Sequence, residues 1–238
     1  MTFVGVGPGD PSLITVAGLD AIKNSSLVAF PVSVEGGKSI AAEIVSKLIR
    51  HKKKMQLLFP MTTDPDVLKK SWKNASLRLV NAVKDNNQVV FLSQGDVSLY
   101  STSAYINFAI KSYYSTCKVK IIPGINSFSA AAALGQFPLS LQQEQLLISP
   151  VPDEKKEFER ILEDGITSQR VIVFLKLGFR WVWVREILEK KGLLEKSLFA
   201  QRLGFSDQKV SLAKDIPADS KPYFSLLIIR KQLPSIVP

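Results

Sequence analysis

The sequence predicts an α/β protein of two α/β domains, the first on a mainly parallel sheet and the second on a mixed one. Three observations predict it. Short apolar runs alternate with helical stripes along the first half of the chain, which implies parallel strands joined by right-handed crossovers. Three glycine-centred turns, Gly5-Val6-Gly7-Pro8-Gly9-Asp10-Pro11, Gln94-Gly95-Asp96-Val97-Ser98-Leu99-Tyr100-Ser101-Thr102 and Pro123-Gly124-Ile125-Asn126-Ser127, each follow such a run. The pattern then changes near Gln136–Leu141, and the end of the chain carries strands with little helix between them, as in antiparallel or mixed sheets. The boundary is therefore set at 139, giving domains 1–139 and 140–238.

The elements follow in order. Phe3–Val6 is a short strand, and a helix runs from the N-cap Thr15 to about Asn24. Ser26–Phe30 is a strand ended by Pro31, and Ser39–Ile49 shows helical spacing through Ile40, Ile44, Val45 and Leu48. Met55–Phe59 is a strand stopped by Pro60. The clearest helix spans Asp64–Asn86, with Val67, Leu68, Trp72, Ala75, Leu79, Ala82 and Val83 on one face. Gln88–Leu92 is a strand, followed by a helix from about Leu99 to Tyr113, a strand at Val119–Ile122 and an Ala-rich helix over Asn126–Leu134. Beyond the boundary come the strand Leu146–Ser149, a turn at Pro150–Asp153, the charged helix Glu154–Glu163 and the buried strand Val171–Leu175. A helix from Trp181 to Lys191 and the strands Ser197–Arg202, Lys209–Ala213 and Tyr223–Arg230 complete the chain.

Composition narrows the function. Of 238 residues 46% are hydrophobic, enough for a sizeable core. No apolar run approaches the roughly 18 residues of a membrane span, and the N-terminus enters a strand without a signal-peptide pattern, so the expected location is cytoplasmic. The single cysteine, Cys117, excludes an internal disulfide and a Cys-rich metal site, and the single histidine, His51, beside Lys52-Lys53-Lys54, argues against a His-based metal centre and a Ser-His-Asp triad. The net charge of +10 suits a polyanionic ligand or a solvated basic surface. The basic residues are scattered, with no arm or motif for nucleic acid.

The loops also exclude two nucleotide readings. A dinucleotide fingerprint needs a third glycine three places after Gly7, and Asp10 stands there. Pro8 removes a backbone N–H from the stretch that would cradle a pyrophosphate. Gly37-Lys38-Ser39 resembles the end of a P-loop, but Val32 occupies the position of its first glycine. What suits the first loop is a ligand without phosphate, approached closely by backbone. Asp96 is read either as a helix N-cap or as a ligand group, and Asp10 as turn chemistry or a general base.

Taken in series, these residues resemble the tetrapyrrole methylases. Gly5 to Pro11 with Leu13-Ile14-Thr15 is similar to their opening loop, Gly95 to Thr102 to their second ligand loop, and Pro123 to Ser127 to their third. Phe174-Leu175-Lys176 is similar to the strand that completes the pocket from the second domain. Phe59-Pro60-Met61, Trp72, Leu99-Tyr100-Ser101-Thr102 and Ser127-Phe128 before the alanine run resemble the branch that methylates C20. Asn126 departs from the family's Ser or Thr, and Leu175 from its Met.

The resemblance implies two domains with S-adenosylmethionine in a cleft between them, usually in a homodimer. It implies methyl transfer to C20 of precorrin-2, metal-free or cobalt-loaded, in cobalamin biosynthesis, with no nucleic-acid or membrane partner. The acidic tetrapyrrole gives the positive charge a partner. Residues implied at the cofactor are Pro8, Gln94, Gly95, Asp96, Leu99, Ser101, Thr102, Asn126, Ser127, Leu175 and Gly204. Trp72, Tyr100 and Phe128 are candidates to wall the macrocycle, with a core role equally open for Trp72; Asp10 is the one candidate base. The alternative is a relative of the same fold acting on ribosomal RNA or another tetrapyrrole position.

Overall fold

The computed structural model describes residues 1–220 and 224–233. The chain divides into a first compact unit, Met1–Asn126, and a second beginning at Ser127.

The first unit carries β1 (Thr2–Gly5), α1 (Val16–Asn24), β2 (Leu27–Val32), α2 (Ile40–Ile44), β3 (Lys53–Leu58), α3 (Pro65–Lys84), β4 (Val89–Ser93), α4 (Thr102–Tyr113) and β5 (Lys120–Ile122). Its strands form one sheet in the order β3-β2-β4-β1-β5, every pair parallel. Strand side chains alternate between two cores. Phe3, Leu57, Val89 and Phe91 pack with Leu79 of α3 and Ile106 and Ile110 of α4. Val4, Val28, Phe30, Val90 and Leu92 pack with Ile22 of α1 and Ile44 of α2. Both faces of the central strands are covered, which is why β1, β2 and β4 read as apolar runs, while the edge strands β3 and β5 are largely exposed.

The order of strands creates a switch point. β1 and β4 are neighbours and parallel. The chain leaving β1 reaches α1 on one face, and the chain leaving β4 reaches α4 on the other. Loops that diverge in this way leave a crevice at the carboxyl edge, where open α/β sheets bind ligands.

The second unit contains α5 (Ser127–Leu134), β6 (Leu146–Pro150), α6 (Lys155–Thr167), β7 (Val171–Leu175), α7 (Trp181–Lys190), β8 (Ser197–Gln201), β9 (Lys209–Leu212) and β10 (Ser225–Ile229). Its sheet runs β6-β7-β10-β8-β9, parallel between β6 and β7 and antiparallel elsewhere. One face packs Phe174, Phe199 and Leu227 against Phe158 and Leu162 of α6 and Trp181, Val184 and Leu188 of α7. α5 packs on β8 and β10. A side chain at Gly135 would lie 2.6 Å from Leu198 Cδ2, so this helix groups with the second sheet and the units divide ahead of residue 139.

Several boundaries differ from expectation. β2 continues through Pro31 to Val32. The helix expected over Ser39–Ile49 ends at Ile44, and turns carry the apolar stripe on to Ile49. α4 begins at Thr102 rather than Leu99, because Tyr100 has a positive φ of 47° and Ser101 is the cap. Tyr223 lies outside the described residues. Among the described residues no helix is long and apolar enough to cross a membrane.

Candidate active site

Three loops meet at the switch point of the first unit. β1 and β4 are held in register to their ends, with the Val6 N–H donating to the Ser93 carbonyl at 2.9 Å. Past the strands, Gly7 and Gly95 exchange two backbone hydrogen bonds, of 3.2 and 2.8 Å, in an isolated antiparallel bridge. Both have positive φ, 78° and 66°, a region where glycine carries no steric cost. Gln94 Nε2 donates to the Pro8 carbonyl at 3.3 Å. The first and second loops are thus tied by backbone and side chain.

The third loop enters where only glycine fits. A Cβ on Gly124 would stand 2.1 Å from the Gly95 carbonyl oxygen and 2.7 Å from the Gly5 carbonyl carbon. The Gly124 N–H donates to Asp96 Oδ2 at 2.9 Å. Asp96 Oδ1 accepts from the Ser98 N–H at 2.8 Å and from the Ser98 hydroxyl. Asp96 is 8% exposed. Burial would raise its pKa, but the Ser98 hydroxyl and the N–H groups of Gly124, Ser98 and Val97 outweigh it and hold the carboxyl below its ordinary value.

The start of α4 is tied in as well. Ser101 Oγ accepts from the Ser103 N–H at 3.2 Å as the cap and pairs with Ser93 Oγ at 2.7 Å. Asp96 is therefore not the cap of this helix. Thr102 is the first residue of α4, with Leu99 and Tyr100 in the bend before it.

The first loop is not built for phosphate. It runs into a short 3-10 turn, Pro11–Leu13, capped by Asp10, whose Oδ1 accepts from the Ser12 N–H at 2.8 Å. α1 starts only at Val16 and already has a cap, Thr15, accepting from the Gly18 N–H at 3.1 Å. The rim instead presents bare backbone. A Cβ on Gly95 would meet no atom within 4 Å, so open space lies beside that residue. With α1 set back from the glycines and its first turn already capped, the helix-terminus anion site that a polyphosphate would use is missing from this loop. No group of three or more His, Cys, Asp or Glu that could hold a metal ion occurs among the described residues.

The structure brings Pro8, Gln94, Gly95, Asp96 and Ser101 into this one constellation, with Asn126 at the end of the third loop. Trp72 lies between helices, stacked on Tyr105 of α4 with ring centroids 4.4 Å apart and planes 4° from parallel. Tyr100 is half exposed. In the second unit, Ser127 opens α5 and Phe128 is buried. Leu175 ends β7, its carbonyl accepting from the Val151 N–H at 2.8 Å. Gly204 occupies a turn with φ 79°, its N–H donating to Gln208 Oε1 at 2.8 Å.

Ser93 and Ser98 are structural members of the site that the sequence did not single out. Asp96 and Ser98 have the spacing of an Asx turn, and Ser93 is a polar end to an apolar strand. Those are the signals that could have found them.

Known proteins share both the sequence pattern and the fold of this chain. The sequence matches the tetrapyrrole (corrin/porphyrin) methylase family over residues 1–214. A probable cobalt-precorrin-2 C(20)-methyltransferase of Methanocaldococcus jannaschii is 33% identical over 236 residues, spanning 96% of this chain and 94% of that protein. The fold is similar to that of a cobalt precorrin-4 methyltransferase of cobalamin biosynthesis, with a TM-score of 0.73, 17% identity and coverage of 96% and 93% of the two chains. It is similar also to uroporphyrin-III C-methyl transferase from Thermus thermophilus in complex with S-adenosyl homocysteine, with a TM-score of 0.66, 17% identity and coverage of 97% and 96%.

Proposed function

The chain belongs to the tetrapyrrole methylases, and from that premise we propose that it transfers a methyl group from S-adenosylmethionine to C20 of precorrin-2 or its cobalt-loaded form, in cobalamin biosynthesis. The observation that carries the proposal is the meeting of three glycine-centred loops at one switch point, with bare backbone beside open space. The near full-length relative named for C20 supports the acceptor and favours a tetrapyrrole over RNA.

S-adenosylmethionine, when bound, supplies a methyl already activated by a sulfonium. The chain's task is then to bind and align. Pro8, Gln94, Gly95 and Ser101 form the rim that would hold the donor, and the ties among them would fix its orientation. Aligning donor and acceptor is worth up to roughly 7–11 kcal/mol in favourable cases, so no strong side-chain nucleophile is required. The same reading takes the enzyme to be a cytoplasmic homodimer acting on an acidic tetrapyrrole, without nucleic acid or membrane.

The test is a methyl-transfer assay on metal-free and cobalt-loaded precorrin-2, read by product mass and by the NMR position of the new methyl. One added methyl at C20 is expected with at least one substrate. No transfer to either, or a methyl at another carbon, refutes the assignment.

A further inference from the structure

The carboxylate of Asp96 accepts three hydrogen bonds from within the protein. Oδ1 accepts from the backbone and hydroxyl of Ser98, and Oδ2 accepts from the Gly124 N–H at 2.9 Å. With 8% of the residue exposed, little of the group is left for a ligand. Its neighbour Gly95 is the residue beside open space, and Gly124 is the residue packed against the Gly95 carbonyl. The chain separation is 28 residues, so this contact fixes the third loop to the second across the rim.

We infer that Asp96 is a positioning residue, which clamps the second loop to the third and so sets the backbone edge offered to the methyl donor, and is not itself a ligand of the donor's ammonium group. This rests on the reading of the rim as a methyl-donor site. The clamp needs a carboxylate. An asparagine has one acceptor oxygen and one donor nitrogen in place of two acceptors. It can serve Ser98 or Gly124 but not both, so Asp96→Asn breaks one tie whichever way the amide turns.

Two ligands separate positioning from direct contact. S-adenosylhomocysteine carries the amino-acid ammonium; 5′-methylthioadenosine has the same adenosine and sulfur without it. Calorimetry on wild type and Asp96→Asn is expected to show both ligands weakened by a similar factor, about tenfold or more, the scale of one lost charge-assisted hydrogen bond. Weakening of S-adenosylhomocysteine alone would make Asp96 a direct ligand and overturn the inference.

Amide hydrogen exchange on the ligand-free protein gives the second readout. Asp96→Asn should speed exchange in the 122–126 segment while β1 keeps its protection; unchanged exchange at 122–126 overturns the clamp. If Asp96→Asn does not fold, Ser98→Ala, which removes one of the three ties, should weaken both ligands a few-fold, and loss of neither or of one alone overturns the inference. If wild type takes up neither ligand, the donor-site reading fails, and exchange at 122–126 still decides the clamp.

Discussion

Gly7 and Gly95 lie across the switch point from one another and exchange a reciprocal pair of backbone hydrogen bonds, both with positive φ. The two glycines let the chains leaving adjacent parallel strands meet again, in an antiparallel bridge, after the sheet has ended. Gly124 then closes on the same place, tight against the Gly95 carbonyl.

The glycines of the rim should respond differently to substitution. Gly124→Ala puts a Cβ 2.1 Å from the Gly95 carbonyl oxygen and should cost about 3 kcal/mol or more. Gly95→Ala meets nothing within 4 Å and should cost only about 1–2 kcal/mol, from its positive φ. Its methyl enters the space assigned to the donor, so S-adenosylhomocysteine affinity should fall more than stability does. Urea unfolding and calorimetry on both variants check this; equal stability losses would contradict it.

Asp96 should contribute stability that disappears in acid. Its carboxyl is held below the ordinary value in the folded chain, so the folded state favours the ionised form. That contribution is complete above roughly pH 4, the unfolded value, and is lost as pH falls through the lower folded one. The unfolding free-energy gap between wild type and Asp96→Asn should therefore be larger at pH 7 than at pH 3. A gap that widens on acidification would show the opposite sign.

Ionic strength should act on the acceptor and not on the donor. The chain carries a net +10, and every ion pair found among the described residues lies in the second unit, as between Arg185 and Glu189 or Lys191 and Glu163. Cations of the first unit are thus free of direct ion pairing among those residues, and available to a polycarboxylate through a field that salt screens. Titration of precorrin-2 and of S-adenosylhomocysteine at low and high salt should give a steep slope for the first and a shallow one for the second. Equal slopes would detach the charge from substrate recognition.

Arg230 should prove the most sensitive charge of the second unit. It is 2% exposed, donates to the Pro138 carbonyl at 2.8 Å and pairs with Glu144. Arg230→Met strands both partners and should cost about 3 kcal/mol, the low end for a broken buried pair because Glu144 is partly solvated. Urea unfolding followed through the buried Trp181 measures it, and a loss under about 1 kcal/mol would mean that water replaces the pair.

Much of the first unit was legible because its sheet is covered on both faces. Phe3, Val4, Phe91 and Leu92 all bury completely, so strands stand out as apolar runs and the intervening helices as stripes. The first two glycine loops were legible for the same reason, since each marks the end of a buried strand, whereas the third follows the short, largely exposed β5. The length of α2 was not, since Val45 and Ile49 remain buried after the helix has opened into turns, and burial is what a stripe reports. The start of α4 moved to Thr102 through the pairing of Ser101 with Ser93 and the turn at Tyr100, local geometry that no periodicity encodes. The tie between Asp96 and Gly124 was out of reach for a different reason. It joins loops distant in the chain, and only the strand order brings them together.

The central claim is that three loops of one sheet edge hold the methyl donor. Hydrogen exchange with and without saturating S-adenosylhomocysteine tests it most directly. Protection is expected together in segments 5–9, 94–102 and 123–126. Binding without protection there, or protection confined to other segments, would contradict the account.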